Sequence, residues 1–144
     1  MCFLLYIGTT REIDRKEWDE TAPDVCVKSL KNDETKIRTH FSKPEVQYMG
    51  STSGCGCDFP HLMFQNGGWP ASWEEKGTDQ ASRDRRNQEA LVAVLRATGE
   101  ESVELYGVWS GDFSEPKSRE EISITDLLRP DFYFKEQGFY FVKL

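Results

Sequence analysis

Long hydrophobic runs are missing from this sequence. After Met1, its longest apolar stretch, Cys2 to Ile7, has six residues, against roughly 20 for a membrane-spanning helix. A secretory leader is also not apparent: it needs a basic start and an apolar stretch of about 7–15 residues, and Gly8-Thr9-Thr10-Arg11 follows the run instead. The expectation is a cytoplasmic chain with no membrane partner. Positive charge is short as well. Lys and Arg number 18 against 25 Asp and Glu, a net charge of −7, the wrong balance for a phosphate-facing nucleic-acid binder. Histidine is rarer still: His40 and His61 are the whole supply, so a serine triad has few candidate bases. Repeats, low-complexity tracts and linkers are lacking too, so residues 1–144 read as a single domain.

What is present is a strand-rich pattern with 12% aromatic residues. A chain of this length buries roughly 68–70% of its unfolded surface, enough for one core. Cys2–Ile7, apolar on both faces, predicts a central strand. Residues 9–23 read as a loop that Trp18 pins to the core. Val25–Val27 and Val46–Met49 predict strands, with a short helix from Asp33 to Phe41 stopping before Pro44. Residues 58–78 are irregular but carry six large apolar groups, including Trp69 and Trp73, and predict a packed loop. Asp79–Thr98 has the clearest 3.6-residue period, with Gly99 to end it. Val103–Trp109 and Ile122–Ile124 follow as strands. Phe132–Phe134 and Phe139–Val142, joined by a turn at 135–138, read as a hairpin of buried aromatics, Phe134 and Phe141 among them. Two helices among so many strands do not make a doubly wound sheet. The expected class is α+β: a mostly antiparallel sheet with one long helix and a C-terminal β-hairpin.

The segment Gly50-Ser-Thr-Ser-Gly-Cys-Gly-Cys57 leaves a strand and carries the densest chemistry. Its glycines allow close backbone approach, its successive amides can form an anion-binding nest, and Ser51 and Ser53 add hydroxyl contacts. No Gly-Lys-Ser/Thr follows, so it is not a Walker loop. Three readings stand side by side. In the first, Cys55, Cys57 and His61 hold a metal, with Cys2 or Cys26 across the sheet as a further ligand. Zinc favours such thiolate and imidazole donors, and soft thiolates also select copper(I) or iron–sulfur. In the second, the thiols do redox or nucleophilic chemistry, which needs positive charge or amides nearby. In the third, the loop is a structural turn whose sulfurs fill space. An N-terminal-nucleophile amidotransferase built on Cys2 is disfavoured, because Phe3 stands where that class uses glycine. Cys2 and Cys26, in apolar runs, read as buried hydrophobes.

Arg83 and Arg86 at the start of the long helix, with Asn87, are candidates to face this loop and clamp an anion. The competing reading is a solvated helix face. Asp112, just past a strand end, is a further binding candidate or the acid of a Gly-Asp turn. Met1-Cys2-Phe3-Leu4-Leu5-Tyr6-Ile7-Gly8-Thr9, Tyr48-Met49-Gly50-Ser51, Gly54-Cys55-Gly56-Cys57-Asp58-Phe59 and Leu105-Tyr106-Gly107-Val108-Trp109-Ser110-Gly111-Asp112 together resemble a family of small bacterial proteins with a Met-Cys strand start and a Gly-Ser-x-x-Gly-Cys-Gly-Cys loop. The resemblance implies that Cys2, Cys55 and Cys57 form one constellation; it carries no activity. The functional expectation is a small soluble protein with a cysteine-based metal- or small-molecule site at this loop. The alternatives are a thiol-dependent enzyme or redox protein at Cys55/Cys57, and an interaction module without chemistry.

Overall fold

The computed structural model describes residues 2–62 and 78–144. Six strands form one sheet in the order β2-β3-β1-β4-β6-β5. They are β1 (Phe3–Thr9), β2 (Cys26–Ser29), β3 (Glu45–Gly50), β4 (Ser102–Trp109), β5 (Ser118–Ser123) and β6 (Gly138–Lys143). One long helix, α1 (Thr78–Ala97), precedes β4. All neighbours are antiparallel except β5 and β6, which run parallel. The class is α+β, as the sequence predicts.

β1 is central because both its faces are apolar. Phe3, Leu5 and Ile7 alternate with Leu4, Tyr6 and Gly8, and one core forms on each side. On the first face Leu91, Val92 and Leu95 of α1 pack on Phe3, Leu5, Ile7 and their neighbours. On the second, Tyr6, Val46, Tyr106, Val108 and Phe139 are covered by Ile37 and Phe41. The cover is the segment expected as a short helix. It is a 3-10 helix, Asn32–His40. Its buried residues Glu34 and Ile37 stand three apart, matching three residues per turn.

Three expectations are corrected. The segment Phe132–Phe134 does not pair with β6. The Phe134 amide donates to the Pro60 carbonyl and the Leu62 amide to the Phe134 carbonyl, so this short stretch pairs with residues 60–62. The C-terminal strand pair is β5 with β6. β5, Ser-Arg-Glu-Glu-Ile-Ser, is an edge strand whose charges pair outward: Lys135 with Glu120 and Lys143 with Glu121, a usual way of protecting an edge. Phe141 is exposed (37%) while Phe134 is buried (1%). Trp18 is also exposed, at 38%; instead of entering the core it lies over Gly54 and donates its indole N–H to the Thr52 carbonyl at 2.9 Å. The expected packed loop falls mostly on residues 63–77, outside the described residues; Phe59, at its start, is buried.

Candidate functional site

The glycine–cysteine loop closes on itself directly after β3. The Ser51 amide donates to the Cys55 carbonyl at 2.8 Å and the Gly54 amide to the Ser51 carbonyl at 2.9 Å. Gly54 has φ +92°, a conformation that suits glycine. The Thr52 amide donates to Asn87 Oδ1 at 2.8 Å, and Asn87 Nδ2 donates to the Arg83 carbonyl at 2.9 Å. Asn87, fully buried, thus ties the loop to α1. The Ser53 amide faces the Ser51 hydroxyl at 3.4 Å. Amides 51 to 54 therefore all have acceptors within the protein, and the expected anion nest is not formed by them. The buried Ser51 hydroxyl is engaged by the Cys55 carbonyl. Ser53 is exposed beside the Cys55 sulfur, 3.7 Å away.

After Cys55 the chain makes one 3-10 turn, Gly56–Asp58, pressed against the start of β1. A Cβ added to Gly56 would lie 2.3 Å from the Phe3 carbonyl oxygen and 3.3 Å from the Leu4 Cα. Only glycine lets the two backbones come this close. The contact carries Cys57 to the head of β1. Burial is the main force on the Cys57 thiol, pushing it up to about 11. All four cysteines are free thiols. Cys26 is fully buried, as expected, with its sulfur 4.0 Å from the Gly54 carbonyl. Cys2 is exposed, contrary to expectation, because it precedes the first paired residue of β1.

The expected metal set is not brought together. Among the described residues, no group of three or more His, Cys, Asp or Glu side chains is placed to hold an ion. His61 turns elsewhere: its ring stacks on Phe3 at 4.5 Å and meets Trp109 edge-on at 5.8 Å, with Nδ1 2.7 Å from the Phe59 carbonyl. Arg83 and Arg86 are exposed on α1, and it is Asn87 that reaches the loop. Asp112 accepts the Ser114 amide at 3.0 Å and the Ser114 hydroxyl, so its carboxylate closes a turn.

A groove of about 290 Å³ opens on the second face of the sheet, beside this loop. Its apolar lining is Leu4, Tyr6, Tyr48 and Phe113; Gly54 and Ser110 border it. Tyr6 and Tyr48 are register partners on β1 and β3, and their rings meet edge-on at 6.1 Å. The Tyr6 hydroxyl donates to Glu34 Oε2 at 2.6 Å. Glu34 Oε1 accepts the Lys31 amide at 2.9 Å, fixing the start of the 3-10 helix. Burial, then the Glu34 carboxylate, raises the Tyr6 phenol well above its ordinary range. The Tyr48 phenol is raised chiefly by burial, then by the nearby Cys26, Cys55 and Cys57 thiols. The Tyr48 hydroxyl has no hydrogen-bond partner among the described residues. Lys28 and Lys31 also line the groove and form no ion pair among the described residues. Asp33 is the remaining acid there.

None of these five (Tyr6, Lys28, Lys31, Glu34, Tyr48) stands out in the sequence. Asp33-Glu34 reads as a solvated charge pair. The available signal was Tyr6 itself: a tyrosine in a central strand needs a buried partner for its hydroxyl.

The thiol and phenol shifts predict an alkaline weakness. The folded chain holds the Cys57 proton to a higher pH than the unfolded chain, whose thiol ionises near 9. Its contribution is full below about pH 9 and disappears as pH rises toward about 11. Tyr140, pushed up to about 12 by burial, adds a loss beginning near pH 10. Urea midpoints should therefore fall between about pH 8 and about pH 10.5, and fall less in Cys57→Ser. An equal fall in both proteins would show that Cys57 has no part in it.

No family model matches the chain, nor does any curated protein or any solved structure.

Proposed function

We propose that this chain is a binding domain for a small organic anion, taken into the groove between the 3-10 helix and the sheet and bordered by the glycine–cysteine loop. The observation that carries the reading is the groove's lining: aromatic side chains and, among the described residues, one tyrosine hydroxyl without a partner and two lysines without ion pairs, in a chain of net charge −7. Binding sites of this kind are mostly apolar concavities with a few placed polar groups, and about 290 Å³ suits a small ligand. Tyr6 and Glu34 satisfy each other, so they shape the wall and leave Tyr48, Lys28 and Lys31 to meet the ligand. A flat apolar body against Tyr48 and Phe113, with a carboxylate toward the lysines, fits this chemistry.

Calorimetric titration with benzoate, salicylate and indoleacetate tests the reading. At least one should bind the wild-type chain. Lys28→Ala with Lys31→Ala should weaken it about tenfold or more, the scale of a lost charged hydrogen bond, and Tyr48→Phe by a smaller factor. Equal affinity in all three proteins, or no binding by any probe, would contradict it.

A further inference from the structure

Granted the groove as a ligand site, we propose that it takes a zwitterion: an aromatic α-amino acid whose carboxylate meets Lys28 and Lys31 and whose ammonium meets Asp33. The charged residues of the lining are Lys28, Lys31, Asp33 and Glu34. Two carry each sign, so a ligand bearing only a carboxylate leaves the acids unmatched. The floor has the same character. Lys28, Tyr48 and Tyr6 are successive register partners on β2, β3 and β1, which puts their side chains in one row on one face. Glu34 extends that row through its bond to the Tyr6 hydroxyl. The floor therefore runs from a cation, past two rings, to a carboxylate.

The other two charges come from the start of the 3-10 helix. Lys31 is its N-cap residue and Asp33 lies in its first turn. An α-amino acid carries both charges on one carbon, so one end of the ligand can meet both residues. Asp33 is exposed, and its carboxylate has no hydrogen bond or ion pair among the described residues. Glu34 is already engaged by the Tyr6 hydroxyl and the Lys31 amide, so it adds negative charge on the ammonium side while staying in place. The Tyr48 hydroxyl, without a partner among the described residues, is free to donate to the carboxylate. The ligand's ring then lies against Tyr48 and Phe113.

The test is calorimetric titration of the full chain with two matched sets: L-tryptophan, indole-3-propionate and tryptamine, then L-phenylalanine, 3-phenylpropionate and phenethylamine. Each set keeps the ring and removes one charge at a time. In at least one set the amino acid should bind about fivefold or more tighter than either analogue, the upper end for a solvent-accessible ion pair. Asp33→Asn, at an exposed position, should bring the amino acid down to the level of the carboxylate analogue and leave that analogue's affinity unchanged or higher. A carboxylate analogue that binds as tightly as its amino acid in both sets overturns the zwitterion and leaves the groove reading standing. So does an amino-acid advantage that survives Asp33→Asn. An amine that binds tightest, or no binding by any of the six, overturns both.

Discussion

Phe134→Ala is expected to cost about 3–5 kcal/mol, while Phe141→Ala costs under about 1 kcal/mol. Their positions decide the contrast. Phe134 is 1% exposed, and its ring lies 5.0 Å from Phe132, 5.5 Å from Tyr140, 6.1 Å from Phe3 and 6.3 Å from Phe59. Truncating it opens a cavity where the sheet, the 59–62 segment and the 132–134 segment meet. Surrounding rings of this size cannot collapse into such a space without breaking their own contacts. Phe141 is 37% exposed and meets only the Phe139 ring among the described aromatic pairs. Denaturant titrations of the two variants measure the difference. Equal losses would place both rings in the core and contradict the register of β6 against β4 and β5.

Gly56→Ala carries the second large effect. The added methyl would lie 2.3 Å from a backbone oxygen in the central strand, and β1, paired on both sides, cannot yield. The 55–58 turn must move instead. A loss of about 3 kcal/mol is expected, the upper part of the usual range for over-packing. A loss under about 0.5 kcal/mol in a urea titration would show that the loop does not press on β1.

Sequence reading reached the fold where burial imposes a local period. β1 is apolar on both faces, and α1 repeats every 3.6 residues, so both were legible. β5 was legible only at its end, Ile122-Ser123, because its consecutive charges Arg119, Glu120 and Glu121 hide strand alternation. It is a strand because β6 offers it a ladder. The aromatic triplet at 132–134 alternates as a strand would, yet its partner is residues 60–62, a choice made by tertiary packing. The cysteine loop announced itself through its glycines, and the place of Cys57 at the head of β1 follows from the close approach Gly56 allows. The groove was invisible for a different reason. Tyr6 and Tyr48 become neighbours only through the pairing of β1 with β3, and Glu34 reaches Tyr6 only because a 3-10 helix presents it at the same side as Ile37. No short-range pattern encodes either meeting.

An amide-resolved NMR titration with indoleacetate tests the central claim most directly. The groove reading predicts saturable shifts at Lys28, Ser29, Gly54, Ser110 and Gly111, which border the groove from separate elements. Shifts confined to a different cleft, such as the one of about 380 Å³ between Arg11–Lys16 and Val94–Thr98, or small unsaturable changes spread over the surface, would contradict it.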